Sequence, residues 1–176
     1  MCTIQIDLKP RLPKSQEDGA RNGGWVVLAF RLPREPSTPR IAVWRKLKRL
    51  GVAQLLDGLV ALPLDSRNRE QLEWVAGDVI DAGGEATIWI GTPASSAQER
   101  QLAARMQETV AAEYRRLIEE AEAVRSHARG QRRRSLARLR RELRRIRLRD
   151  YFPPKERELA HRAVDDLATS FEEVTP

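Results

Sequence analysis

Residues Val52 to Pro63 read VAQLLDGLVALP. Two short apolar runs flank Asp57-Gly58, and that dipeptide closes a two-residue turn because glycine accepts positive φ at no steric cost. The segment is therefore expected to be a β-hairpin. Upstream, Trp25 to Leu32 read WVVLAFRL, a continuous apolar run of strand length that ends in the loop from Pro33 to Pro39. Between this strand and the hairpin a helix is expected, starting near Ser37 or Thr38, with Pro39 in its first turn and Gly51 as its C-cap. Downstream, Asp65 or Ser66 caps a second helix, REQLEWVAGDVIDA, which stops at Gly83-Gly84. EATIWIG then supplies a last strand.

The resulting order is strand, helix, strand, strand, helix, strand. This is the split βαβ pattern of a ferredoxin-like sandwich, an α+β fold with a sheet on one side and two helices on the other. Residues 93–176 hold no further strand signal. Ala103, Met106, Val110, Tyr114, Leu117, Ala121 and Val124 follow helical spacing, and Gly130 is expected to break that helix. Leu136, Leu139, Leu143 and Ile146 mark a second stripe, and Ala160, Val164, Leu167, Phe171 and Val174 a third. The expected organisation is a flexible leader over 1–24, a ferredoxin-like unit over 25–92, and a helical extension over 93–176, made of a helical hairpin and a C-terminal helix. A weakly alternating segment in the leader, CTIQIDL, could add an edge strand.

Charge is concentrated in one place. The twenty-one residues from Arg129 to Arg149 contain eleven arginines and one acid, Glu142, a formal +10 in a chain whose total is +7. The rest of the chain is slightly acidic. A local basic block of this density points to a polyanionic partner. A smaller cluster, Arg40, Arg45, Lys46, Lys48 and Arg49, lies on the first helix, where Val43, Trp44, Leu47, Leu50 and Gly51 take the opposite face.

The run LPREPSTPRIAVWRKLKRLGV (Leu32 to Val52), followed by LLDGLVALP, REQLEWVA and GGEATIW, resembles the N-terminal domain of the chromate-resistance regulator family ChrB. The resemblance covers residues 25–92, and the arginine-rich helices beyond are also similar to that family's N-terminal part. It implies a cytoplasmic transcriptional regulator of chromate efflux genes whose N-terminal part binds promoter DNA. Full-length members carry a further C-terminal domain, whereas this chain ends at Pro176.

The candidate nucleic-acid contacts are Arg34, Arg40, Arg45, Lys46, Lys48 and Arg49 around the first helix, and Arg132, Arg133, Arg134, Arg138, Arg141 and Arg145 in the arginine block. Arginine suits phosphate because its planar fork donates two parallel hydrogen bonds. Two blander readings stand beside this one. Either basic face could simply be solvated. The arginine block could also pair with Glu108, Glu113, Glu119, Glu120 and Glu122 of the preceding helix, in exposed pairs worth about 0–1 kcal/mol each. Ser37, Thr38 and Arg40 form a candidate oxyanion cradle for chromate or a DNA phosphate, with an ordinary N-cap as the alternative.

Trp25, Trp44 and Trp89 are expected in the core. Trp74 points away from the buried face of its helix, as if the C-terminal helices docked there. His127 and His161 have no partners at ligand spacing, and no phosphate loop or nucleophile motif is present, so no catalytic residue, metal or cofactor is assigned. The single cysteine, Cys2, and the short apolar runs predict a cytoplasmic chain without a membrane span. The competing function class is a non-enzymatic protein-interaction module that uses its helical hairpin and Trp74 to form a homodimer or to dock on another partner.

Overall fold

A computed structural model describes residues 24–126 and 128–169. The expected leader with Cys2 and CTIQIDL, together with His127, Phe171 and Val174, lies outside the described residues.

The elements follow in the order β1 (Trp25–Arg31), α1 (Ser37–Leu50), β2 (Ala53–Leu56), β3 (Leu59–Pro63), α2 (Ser66–Asp81), β4 (Glu85–Gly91), α3 (Ser96–Val124), α4 (Arg129–Arg147) and α5 (Glu156–Thr169). The class is α+β, with one four-stranded sheet ordered β2-β3-β1-β4 and every neighbouring pair antiparallel. β1 is central, which explains why its sequence is a continuous apolar run. One face carries Val26 and Leu28, opposite Leu62 and Val60 of β3; all four are fully buried. Phe30 shares that face and meets Trp44 of α1 edge-on, with ring centres 5.7 Å apart. α2 packs beside α1 against β1 and β4, burying Leu72, Val75, Ala76 and Val79.

The turn at Asp57-Gly58 forms as expected, with Leu56 opposite Leu59. Only Gly58 takes a positive φ, +78°, and its carbonyl accepts the Phe30 amide at 2.7 Å. A Cβ there would lie 2.3 Å from the Phe30 carbonyl oxygen, so the hairpin tip docks on β1 only as glycine. Asp65 caps α2, its Oδ1 accepting the Asn68 amide at 2.6 Å. α1 starts at Ser37, as expected, but without a side-chain cap. Pro36 occupies the N-cap position, and neither Ser37 nor Thr38 makes a capping hydrogen bond.

The other sheet face is covered unevenly. Trp25 stacks on Phe152 at 6.0 Å, and Leu102 and Met106 of α3 join the same core beside buried Ala53 and Ala61. Towards β4 the cover ends. Trp89 is 63% exposed, so it is not a core residue; β4 is an edge strand and Trp89 sits on its uncovered face. Trp74 is 73% exposed, because the C-terminal helices pack on α3 and on one another rather than on α2.

A second core lies among the last three helices, where Val110, Tyr114, Leu117, Ala121 and Val124 of α3 meet Leu136, Leu139, Leu143 and Ile146 of α4 and Ala160, Val164 and Leu167 of α5. α3 is 29 residues, about 43 Å at helical rise, and serves both cores. At its start Leu102 is buried and Ala103 only partly so. The break before α4 falls after Val124, and Gly130 lies inside the first turn of α4.

The two cores are joined by short polar links. The Tyr151 hydroxyl lies 2.9 Å from the Leu50 carbonyl and 3.2 Å from Asn68 Oδ1. Burial pushes the Tyr151 phenol up to about 12. Asn68, itself buried, donates from Nδ2 to the Pro63 carbonyl at 2.9 Å, so no polar group in this knot is stranded.

Candidate nucleic-acid interface

α4 is built from strong helix formers, and its cations crowd the last turn, where they complement the negative end of the helix dipole. The four apolar residues of its stripe are all buried, which fixes the rotation of the helix about its axis. Arg133, Arg134, Arg140, Arg141, Arg144 and Arg147 are thereby turned outward. None of these six has a carboxylate partner within ion-pair distance among the described residues. From Arg133 to Arg147 the stripe runs about 21 Å along the axis.

The flank of α4 facing α3 behaves differently. Arg138 pairs with Glu120, which raises the guanidinium pKa further, and Arg149 pairs with Glu113. Arg145 pairs with Glu142 on its own helix. Of the five glutamates considered for this pairing, Glu120 reaches α4 and Glu113 reaches Arg149 just beyond its end, whereas Glu108 pairs with Arg115 of α3. Arg132 is half-buried. Among the arginines singled out from sequence, the structure thus places Arg133, Arg134 and Arg141 on the outward face, and Arg138 and Arg145 in ion pairs. Arg140, Arg144 and Arg147 belong to the same face and were missed. Their signal was the helical spacing of seven, four and three that runs from Arg133 through them along one side of the leucine stripe.

On α1, Val43 and Leu47 are buried, so Arg45, Lys48 and Arg49 project to solvent. Lys46 is tied to Asp78 of α2, and Arg40 donates to the Pro33 carbonyl at 2.8 Å. Arg34, Ser37 and Thr38 are exposed around the helix start. Arg40 thus turns back to Pro33, and the helix start has no side-chain cap.

The C-terminal ends of α1 and α4 meet. Gly51 takes φ +71° to end α1, and a Cβ there would come 2.7 Å from the Arg149 Cβ. Beside this contact a cleft of about 460 Å³ opens between α1, β2 and α3. Lys48, Arg105 and Arg149 line it together with Trp44, Met106 and a single carboxylate, Glu113. Cationic surface therefore continues from α1 across the cleft to α4. Among the described residues no group of three or more His, Cys, Asp or Glu side chains is placed to hold a metal ion, and no helix is long and apolar enough to cross a membrane.

Fold and surface define a class: an α+β unit joined through a long shared helix to a helical hairpin that carries an outward arginine stripe. The family model described as Protein ChrB, N-terminal, matches residues 40–129, and the chain belongs to that family. Over 79 residues it is 34% identical to Protein ChrB of Cupriavidus metallidurans, a stretch amounting to 45% of this chain and 22% of that protein. The match to that relative therefore spans under a quarter of the relative's length. No solved structure matches the chain. The family match begins at Arg40 within α1 and runs through α3, so it extends further than the α/β unit alone, and it stops at the first residue of α4.

Proposed function

We propose that this chain is a non-enzymatic, cytoplasmic regulatory protein of chromate resistance that binds duplex DNA through its phosphate backbone. The observation that supports the reading is the set of six outward arginines on α4 without carboxylate partners among the described residues. A duplex presents about one negative charge per 1.7 Å, so a stripe of about 21 Å faces roughly a dozen phosphate charges. Each arginine that reaches a phosphate releases condensed counterions and can donate two hydrogen bonds.

Phosphate contacts position a protein without reading sequence, and that second task falls to α1 in this proposal. Arg45, Lys48 and Arg49 stand exposed on a helix held rigidly against the sheet. The β2-β3-β1-β4 order supports reading the unit of residues 25–92 as a ferredoxin-like sandwich, with α1 and α2 on one face and the helical extension joined to it. The test is the affinity of the chain for a promoter duplex as salt rises from about 50 to 200 mM. With four to six phosphates engaged, the association constant should fall by roughly two to three orders of magnitude over that range. An affinity indifferent to salt would overturn the proposal.

A further inference from the structure

The two edges of the sheet are built differently. β2 is four residues long, its register shifts between Gln54 and Leu56, and α3 lies against it. Shortness, irregularity and a covering helix are the devices by which proteins blunt a strand edge. β4 lacks the first two, and although α2 packs on one of its faces its edge is open. It pairs with β1 at all seven positions without a register shift, contains no proline or lysine, and among the described residues no strand pairs with its outer side. Large apolar groups surround that open edge. Trp89 is 63% exposed on one face, Ile90 is 48% exposed on the other, and Ile80 of α2, the helix that packs on β4, is 58% exposed.

We propose that β4 is a homodimer interface, two copies pairing antiparallel through this strand about a two-fold axis at Ile88 to form a continuous eight-stranded sheet. The occupant is a second copy because the strand is complementary to itself in that register. Trp89 falls opposite Thr87 and Ile90 opposite Ala86, a large side chain beside a small one in each cross-strand pair. Glu85 falls opposite Gly91, which leaves the two Glu85 carboxylates about 20 Å apart. The arginine helix packs on α3 and α5, away from β4, so its charge does not oppose the contact.

The exposed parts of Trp89, Ile90 and Ile80 supply roughly 350 Å² per copy. The remaining strand surface brings the two-copy total to about 1,000 Å², the lower bound for a specific interface. A two-fold pair is also the commonest closed assembly.

The full chain, of 20.1 kDa, should sediment or scatter as a species of about 40 kDa from micromolar concentrations upward. Trp89→Lys and, separately, Ile90→Lys should each return it to a single-chain mass with an unchanged far-ultraviolet circular dichroism spectrum, since both side chains are exposed. Trp74→Ala, on the outer side of α2, should leave the dimer intact. A wild-type chain that is monomeric throughout, or a dimer indifferent to both lysine variants, overturns the proposal. So does a chain that dimerises only after residues 1–23 are removed, because the edge would then belong to that segment.

Discussion

α1 and α4 are both basic helices with one apolar face, yet they use their charge differently. α1 turns Lys46 to Asp78 and Arg40 to a loop carbonyl, and keeps Arg45, Lys48 and Arg49 outward. α4 gives up Arg138 to Glu120 of α3 and Arg145 to Glu142, Arg149 just past its end pairs with Glu113, and six arginines of α4 still have no carboxylate partner among the described residues. The difference follows from packing. α1 lies beside another helix of the sandwich, while α4 packs its leucine stripe on α3 and α5 and turns the rest of its circumference to solvent. Available charge is what remains after rotation and neighbours have been fixed, and it cannot be counted from composition.

The sharpest way to break the contrast is to remove what orients α4. Leu139 is fully buried, and Leu139→Ala should cost about 3 kcal/mol in urea unfolding, with DNA affinity falling alongside. A next step keeps the fold and reverses the stripe. Arg133, Arg140 and Arg144 changed together to Glu should weaken duplex binding by about 100-fold near physiological salt and lower the salt slope by roughly three units. Arg45 and Arg49 changed to Ala should cost about tenfold in affinity, and under the proposed division of labour this loss should differ between promoter and unrelated duplexes, whereas the α4 loss should not. If the two helices respond alike on both duplexes, the division fails.

Smaller effects sharpen how the helices are joined. Tyr151 is raised to about 12 by burial, so the folded state favours its neutral form. The stability this confers is complete below the ordinary tyrosine value of about 10 and is lost as pH climbs from there to about 12. Tyr151→Phe should cost about 1 kcal/mol at neutral pH and flatten part of the alkaline decline. Tyr114, raised by burial first and then by its hydrogen bond to Asp150, leaves the remaining slope in place. Arg138→Ala should change DNA affinity by no more than about threefold, because Glu120 already holds that guanidinium in a partly exposed pair. A loss as large as that of the outward triple would show that composition, and not orientation, governs binding.

Much of the architecture was legible along the chain, for identifiable reasons. Asp57-Gly58 between two apolar runs fixed the hairpin, Gly51 and Asp65 marked helix ends, and the apolar spacing of α4 predicted all four residues that it buries. Two expectations failed where a neighbour decided the outcome. Trp89 reads as core from hydrophobicity alone, but it stands on the uncovered face of an edge strand. Trp74 has no helix docked on it. α1 does begin at Ser37, with Pro36 and not a hydroxyl residue as its N-cap.

The sequence by itself determined which segments are helix and strand, where they stop, and that positive charge gathers at residues 129–149. These are local properties, set by side-chain periodicity, turn geometry and composition within a few residues. Only the tertiary structure decided which arginines of that block face outward, which glutamates reach them, and which sheet edge is left open. Those outcomes depend on how α3 spans two cores and how the C-terminal ends of α1 and α4 meet at Gly51 and Arg149, contacts between residues about a hundred positions apart.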